Sequence, residues 1–238
     1  LIFLKKPYKT LHKDSFLQRI NSTVIGEGML HEGNIYLMDY AIQNMPNEGI
    51  IFEIGSYASL STNVMLHLLN KHNKKHLFIG CDAWVYKGFK DHEGTIRNHI
   101  DGSDTITRTA YAAYIKNAFI NAINLLHPNT KPYTCHLTSD AFFKNWNTTN
   151  EFTDVFDRAF SIHQEISFCY IDGNHSYEQT KKDFENVVSK LKLNGFILID
   201  DSAKYMNFGS AKFIKEIKKN VRFKIIDNNP NYLIQKIK

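Results

Sequence analysis

The sequence predicts an α/β fold, a seven-stranded mixed sheet with helices on both faces and an antiparallel C-terminal hairpin. Three observations predict it. Short, nearly continuous apolar runs at 49–55, 77–81, 166–171 and 196–199 read as strands buried on both faces. Amphipathic helical segments separate them, so successive strands run parallel through right-handed crossovers. The last two runs, 221–226 and 232–237, flank only Asp227-Asn228-Asn229-Pro230-Asn231, which makes them a hairpin.

Composition agrees with one large domain. The 238 residues are 43% hydrophobic and 22% charged, ordinary globular usage that excludes wholesale disorder. The net charge of +5 is too mild to demand nucleic acid, and no stacking motif of an RNA-binding module appears, so no nucleic-acid partner is expected. No apolar run approaches the ~18 residues of a membrane span. Leu1-Ile2-Phe3-Leu4 followed by two lysines reverses the charge order of a signal peptide, and the absence of an initiator Met leaves an upstream segment to be expected. Cys81, Cys135 and Cys169 are odd in number, without metal spacing, and fall in strand segments. They read as inert core thiols of a reducing compartment, which points to the cytoplasm.

Taken in order, residues 1–20 are basic with a short helix around 15–20. Residues 30–45 carry Ile35, Leu37, Met38, Ala41 and Ile42 at helical spacing, and Pro46-Asn47-Glu48-Gly49 stops that helix. We divide the chain into an N-terminal helical cap segment, 1–48, and a main domain, 49–238. Strand 49–55 leads into a helix with Leu60, Val64 and Leu68 on one face beside Met65 and Leu69, and strand 77–81 ends at Asp82. Residues 83–106, with Trp84, Tyr86, Phe89 and several glycines, read as an insertion or lid. A helix over 107–126 places Tyr111, Tyr114, Ala118, Ala122 and Leu125 in register and ends at His127-Pro128. Residues 132–138 form a short strand, followed by a polar stretch. Strand 166–171 ends at Asp172. Ser176 caps the next helix with Gln179 three residues on, and Tyr177, Phe184, Val188 and Leu191 form its apolar face. Asn194-Gly195 turns into strand 196–199, which ends at Asp200-Asp201, and a last helix covers 208–219.

Ligands of doubly wound sheets bind beyond the carboxyl ends of the strands. Here those ends carry Glu53 and Gly55, Asp82, Ser139-Asp140, Asp172 and Asp200-Asp201. The first turn, Glu53-Ile54-Gly55-Ser56-Tyr57-Ala58-Ser59, lacks G-x-G-x-x-G, so no pyrophosphate is suggested. Gly55 still permits close approach of backbone to a ligand, and Asp82 is placed to accept ribose hydroxyls. Other features read as ordinary surface: His72 and His76 among Lys71, Lys74 and Lys75 as a solvated helix end, Lys212, Lys215, Lys218 and Lys219 as a wet helix face, and His92 and His99 as surface histidines. Met29 lies in a loop, or faces the reacting end of a ligand.

The segments FEIGSYASLST, YIDGNHSYEQTKKDF and LKLNGFILIDDS, with the terminal hairpin, resemble class I S-adenosylmethionine-dependent methyltransferases. The nearest subgroup is the small-molecule O-methyltransferases of the metal-dependent sugar and macrolide type. The resemblance runs from residue 49 to the C-terminus, less 83–106 and 145–163. It implies a Rossmann-like methyltransferase fold with S-adenosylmethionine as cofactor. The first motif falls on Glu53 and Gly55, its later glycines being Tyr57 and Ser59 here, and Ser56, Tyr57 and Ser61 join the cofactor contacts. The ribose acid falls on Asp82, the adenine side on Ser139 and Asp140, and Asp172 reaches the amino-acid end.

The same resemblance implies metal ligands at Asp172, Asp200 and Asp201. Three such carboxylates repel unless a cation sits among them, and hard oxygen ligands suit Mg²⁺. The alternative places Asp172 on the cofactor ammonium, with one of the pair capping the next loop. Where many relatives read Asp-His, this chain has Asn174-His175. His175 is then a base for the acceptor hydroxyl, with Asp172 as the competing base and a structural prop as the other reading of His175. The implied reaction moves a methyl group from S-adenosylmethionine to a hydroxyl of a small molecule gripped by Trp84, Tyr86 and Phe89, unless those rings are the insertion's own core. A hydroxylase-like enzyme and a non-catalytic S-adenosylmethionine-binding module share the fold. An NAD-dependent enzyme is disfavoured by the missing glycine fingerprint. A homo-oligomer stays open.

Overall fold

The computed structural model describes residues 8–11, 14–17, 26–85 and 108–238. Its elements, in order, are α1 (Glu32–Asn44), β1 (Ile50–Ile54), α2 (Leu60–Lys71), β2 (Leu77–Asp82), α3 (Arg108–Leu126), β3 (Tyr133–His136), α4 (Ser139–Asn147), β4 (Phe152–Thr153), β5 (Ala159–Phe160), β6 (Ile166–Ile171), α5 (Tyr177–Lys190), β7 (Leu191–Ile199), α6 (Gly209–Ile217), β8 (Phe223–Asn228) and β9 (Tyr232–Lys236).

Seven strands form one sheet in the order β3-β2-β1-β6-β7-β9-β8, and β4 and β5 pair as a separate two-stranded ribbon. The five central strands are parallel, while β9 runs antiparallel to both β7 and β8. This is the mixed sheet the sequence predicts. The order reverses between β1 and β6, so their carboxyl ends open a crevice of the kind that holds ligands in such sheets.

Alternation along the strands divides the core. Ile50, Phe52, Ile54, Cys169, Ile171, Ile197 and Ile199 face α4, α5 and α6, whereas Ile51, Phe168, Tyr170, Phe196 and Leu198 face α1 and α2. All three cysteines are free and buried. Burial pushes the Cys135 thiol up to about 12, which makes it a core side chain and not a nucleophile.

Several boundaries and faces differ from the sequence expectation. The segment after β3 folds as α4, capped by the Thr138 hydroxyl on the Ala141 N–H, and buries Phe142, Phe143 and Trp146. The ribbon of β4 and β5 follows it, so this polar stretch contributes core. On α3 the buried stripe is Ile115, Phe119, Ala122 and Ile123, while Tyr114 and Leu125 are each 63% exposed. Both stripes have helical spacing; the one that wins meets Trp84 and Ala58. His72 is not a solvated end, since its Nε2 pairs with Asp39 of α1 at 2.8 Å, and His76 Nε2 meets the Pro46 carbonyl at 2.8 Å. Lys212, Lys215, Lys218 and Lys219 are exposed as expected. Residues 15–17 are helical, and the rest of the expected 15–20 helix lies outside the described residues, as do Tyr86, Phe89, His92, His99 and most of the 83–106 insertion. No helix among the described residues is long and apolar enough to cross a membrane.

Candidate active site

Strand register brings the acids together. Ile171 pairs with Ile199 across β6 and β7, so the next residues, Asp172 and Asp200, are opposite each other. Both lie two residues beyond a side chain of the α1 face, Tyr170 and Leu198, and alternation turns them to that same side. The ladder continues past the strands, with the Asp172 N–H donating to Ile54 O at 2.8 Å and the Asp200 N–H to Ile171 O at 2.9 Å. Asp172, His175 and Asp200 each offer a ligand atom, all within 4.8 Å of one another.

His175 follows on the loop that enters α5. Ser176 caps that helix by accepting from the Gln179 N–H, as expected, and Asn174 Oδ1 accepts from the Ser176 N–H at 2.8 Å. His175 Nε2 lies 3.7 Å from both Asp172 Oδ1 and Asp201 Oδ2. Asp201, at φ 48°, thus reaches the group through the imidazole. Burial, reinforced by Asp200 and then Asp201, drives the Asp172 carboxyl well above the ordinary carboxylate range. The donor set of carboxylates and one imidazole fits a hard divalent cation, which would relieve that crowding of like charge.

Asp200 is held from behind. Its Oδ1 accepts from Asn231 Nδ2 at 2.8 Å and from Asn34 Nδ2 of α1. Asn34 Nδ2 also meets the Tyr170 hydroxyl at 3.4 Å, and that hydroxyl bonds Asp172. Neither asparagine stands out in the sequence, although Asn231 precedes the Tyr232 that pairs with Ile199 and so is opposite Asp200 in the antiparallel register.

The β1 turn is held by hydrogen bonds within the chain. Glu53 is fully buried, and its carboxylate accepts from Ser56 Oγ at 2.8 Å, Ser61 Oγ at 2.6 Å and Thr62 Oγ1 at 2.5 Å. Burial raises it to about 7 against the pull of those hydroxyls. Glu53 and Ser61 therefore pin the turn to α2 from inside. Gly55 has φ +86°, and a Cβ there would be 2.2 Å from the Asp172 carbonyl oxygen, so glycine is required for the approach of β1 to β6. Asp82 Oδ2 accepts from the Ser56 and Tyr57 N–H groups at 2.8 Å each, and Oδ1 from the Trp84 N–H at 2.6 Å. Burial nonetheless raises its carboxyl. Asp82 is thus first a clasp on the turn.

Tyr57, at φ 43°, sends its hydroxyl to Tyr111 at 2.5 Å. Trp84 is 2% exposed, packs edge-on to Phe119, and donates Nε1 to the Tyr57 carbonyl at 2.9 Å. The expectation that Trp84 grips a substrate is corrected: it is core beneath the turn. Ser139 and Asp140 open α4 and face α5, where Gln179 Nε2 meets Ser139 Oγ and Asp140 Oδ1 at 3.3 Å each and Lys182 Nζ meets Asp140 Oδ2 at 2.6 Å. Met29 is 68% exposed.

Residues 52–202 match the family model of a methyltransferase domain. The chain belongs to that family. It is a class I S-adenosylmethionine-dependent methyltransferase. The matched span holds the acids of the candidate site, from Glu53 to Asp201. No curated protein matches the sequence. Among solved structures the methyltransferase resembles the O-methyltransferase NovP at 15% identity, covering 86% of this chain and 80% of that one with a TM-score of 0.56. It also resembles an O-methyltransferase from Bacillus cereus at 13% identity, covering 93% and 88% with a TM-score of 0.54. The calicheamicin methyltransferase CalS11 matches at 13% identity, covering 85% and 77% with a TM-score of 0.51. At such identities these likenesses establish the shared fold of this methyltransferase.

Proposed function

We propose that this methyltransferase transfers the methyl group of S-adenosylmethionine to a hydroxyl of a small-molecule acceptor, with a divalent cation, Mg²⁺, at Asp172 and Asp200 and with Asp201 nearby. The observation that carries this reading is the convergence of Asp172, His175 and Asp200 at the ends of β6 and β7. The structures of NovP and CalS11, described as an O-methyltransferase and a calicheamicin methyltransferase, and that of the Bacillus cereus enzyme in complex with SAH, support it.

The donor, when bound, would supply an electrophilic methyl group on a sulfonium, and a cation held by Asp172 and Asp200 would supply Lewis acidity that lowers the pKa of an acceptor hydroxyl. The protein's own part is binding and proton handling. Asp82 and Asp172 flank the 55–57 turn, so a molecule with ribose hydroxyls at one end and an ammonium at the other suits the crevice between them. Ser139 and Asp140 stand for the adenine side. His175 takes the acceptor proton at Nε2, the atom that lies 3.7 Å from Asp172 Oδ1 and from Asp201 Oδ2.

The test is a screen of hydroxylated small molecules for formation of S-adenosylhomocysteine, with Mg²⁺ and with EDTA. The expected result is an acceptor-dependent product that EDTA and Asp200→Asn both suppress. Turnover indifferent to EDTA and to Asp200→Asn overturns the cation; failure to bind either nucleoside overturns the whole reading.

A further inference from the structure

Resting on the cation reading above, we propose that Asn34 and Asn231 are positioning residues, a two-amide clamp that aims Asp200 at the site shared with Asp172 and His175. Asn34 and Asn231 are 0% and 1% exposed. Buried amides are costly unless their hydrogen bonds are made, and here both are spent on one carboxylate oxygen, Asp200 Oδ1. They also bond each other, Asn231 Nδ2 donating to Asn34 Oδ1 at 3.0 Å. With Oδ1 held from behind by both amides, Asp200 also bonds the side chain of Asp172 in front, the side on which a cation would sit.

The clamp joins three elements that alternation alone would leave independent. Asn34 comes from α1, Asp200 directly follows β7, and Asn231 directly precedes β9. α1 sits so close to the hairpin turn that a Cβ on Gly33 would be 1.8 Å from the Asn229 carbonyl oxygen. Asn231 is a fork: its Nδ2 serves Asp200, and its Oδ1 accepts from the Ser202 and Ala203 N–H groups at 2.9 Å and 3.1 Å, which holds the chain just after Asp201. Through Tyr170, Asn34 is tied to Asp172 as well. Outer partners of this kind set the orientation of metal-ligating carboxylates.

The fork makes the test specific. Asn231→Asp keeps an oxygen for the Ser202 and Ala203 amides but replaces the donor to Asp200. Asn34→Leu removes the other donor at similar volume. Titration of Mg²⁺ into wild type and variants holding S-adenosylhomocysteine is expected to show a loss of roughly 10–100-fold in cation affinity, with affinity for the nucleoside retained. In the wild type itself, Mg²⁺ is expected to shift the side-chain amide NMR signals of Asn34 and Asn231, a readout that needs no variant to fold. Unchanged Mg²⁺ affinity in folded variants, or unmoved amide signals in a wild type that binds Mg²⁺, overturns the clamp and leaves the cation standing. A wild type that takes up no Mg²⁺ removes the cation and the clamp together.

Discussion

Glu53 carries a cost that depends on pH. Its carboxyl is raised to about 7 in the folded protein against an ordinary 4.5, because burial outweighs three donating hydroxyls. Below about 4.5 it is protonated whether the chain is folded or not. Between about 4.5 and 7 the unfolded chain ionises while the folded one resists, so stability falls as pH rises through that window by about 3 kcal/mol. Thermal melts of Glu53→Gln from pH 4.5 to 8 are expected to lack this component, and wild-type and variant curves that stay parallel would contradict it. His127 acts in the opposite sense, since burial lowers it to about 4, and its contribution is lost as pH falls below 6.5. At the proposed reaction centre, His175→Ala is expected to lower kcat by roughly 10²–10⁴-fold while Mg²⁺ affinity holds better than in Asp172→Asn. The reverse ranking would make His175 chiefly a ligand. Asp172, Asp200 and Asp201 are legible in the sequence because a carboxylate at the end of an apolar run must emerge at a sheet edge. Asn34 and Asn231 are not, because their role depends on a register between strands that no local pattern encodes.

Among the elements, the β1 turn and α3 give the sharpest expectations. Gly55→Ala combines a left-handed φ with a collision against the Asp172 carbonyl. It should destabilise by about 1–3 kcal/mol and weaken nucleoside binding by parting β1 from β6. On α3, Phe119→Ala should cost about 3–5 kcal/mol as a buried aromatic, whereas Tyr114→Ala, on the 63% exposed side, should be close to neutral. Equal losses at both positions, measured by denaturant unfolding, would show the helix presents another face. The buried strands were readable because both faces need apolar residues. The α3 face was not, since Tyr111-Tyr114-Ala118 and Ile115-Phe119-Ile123 are equally periodic and only tertiary packing chooses between them. α4 is hard to see in the sequence because its three aromatics in nine residues lie among polar neighbours, and each strand of the β4–β5 ribbon is two residues long.

At the scale of the whole molecule, the reversal of strand order between β1 and β6 sets the crevice, and the antiparallel β9 places Asn231 behind the acids. Fold and cofactor class were legible because several motifs fall in order along one chain. The acceptor was not, because acceptor recognition is not encoded in the strands and turns that define this fold. A ligand bound only by the folded state should stabilise the protein by about 2.7 kcal/mol at a hundred times its Kd, a rise in Tm that S-adenosylhomocysteine is expected to produce and NAD is not. The most direct measurement is calorimetric titration of S-adenosylmethionine and S-adenosylhomocysteine into the protein, first with Mg²⁺ and then with EDTA. The expected result is saturable binding of both nucleosides at the β1–β6 crevice and a separate uptake of Mg²⁺ that Asp200→Asn weakens. Binding of neither nucleoside under either condition would contradict it.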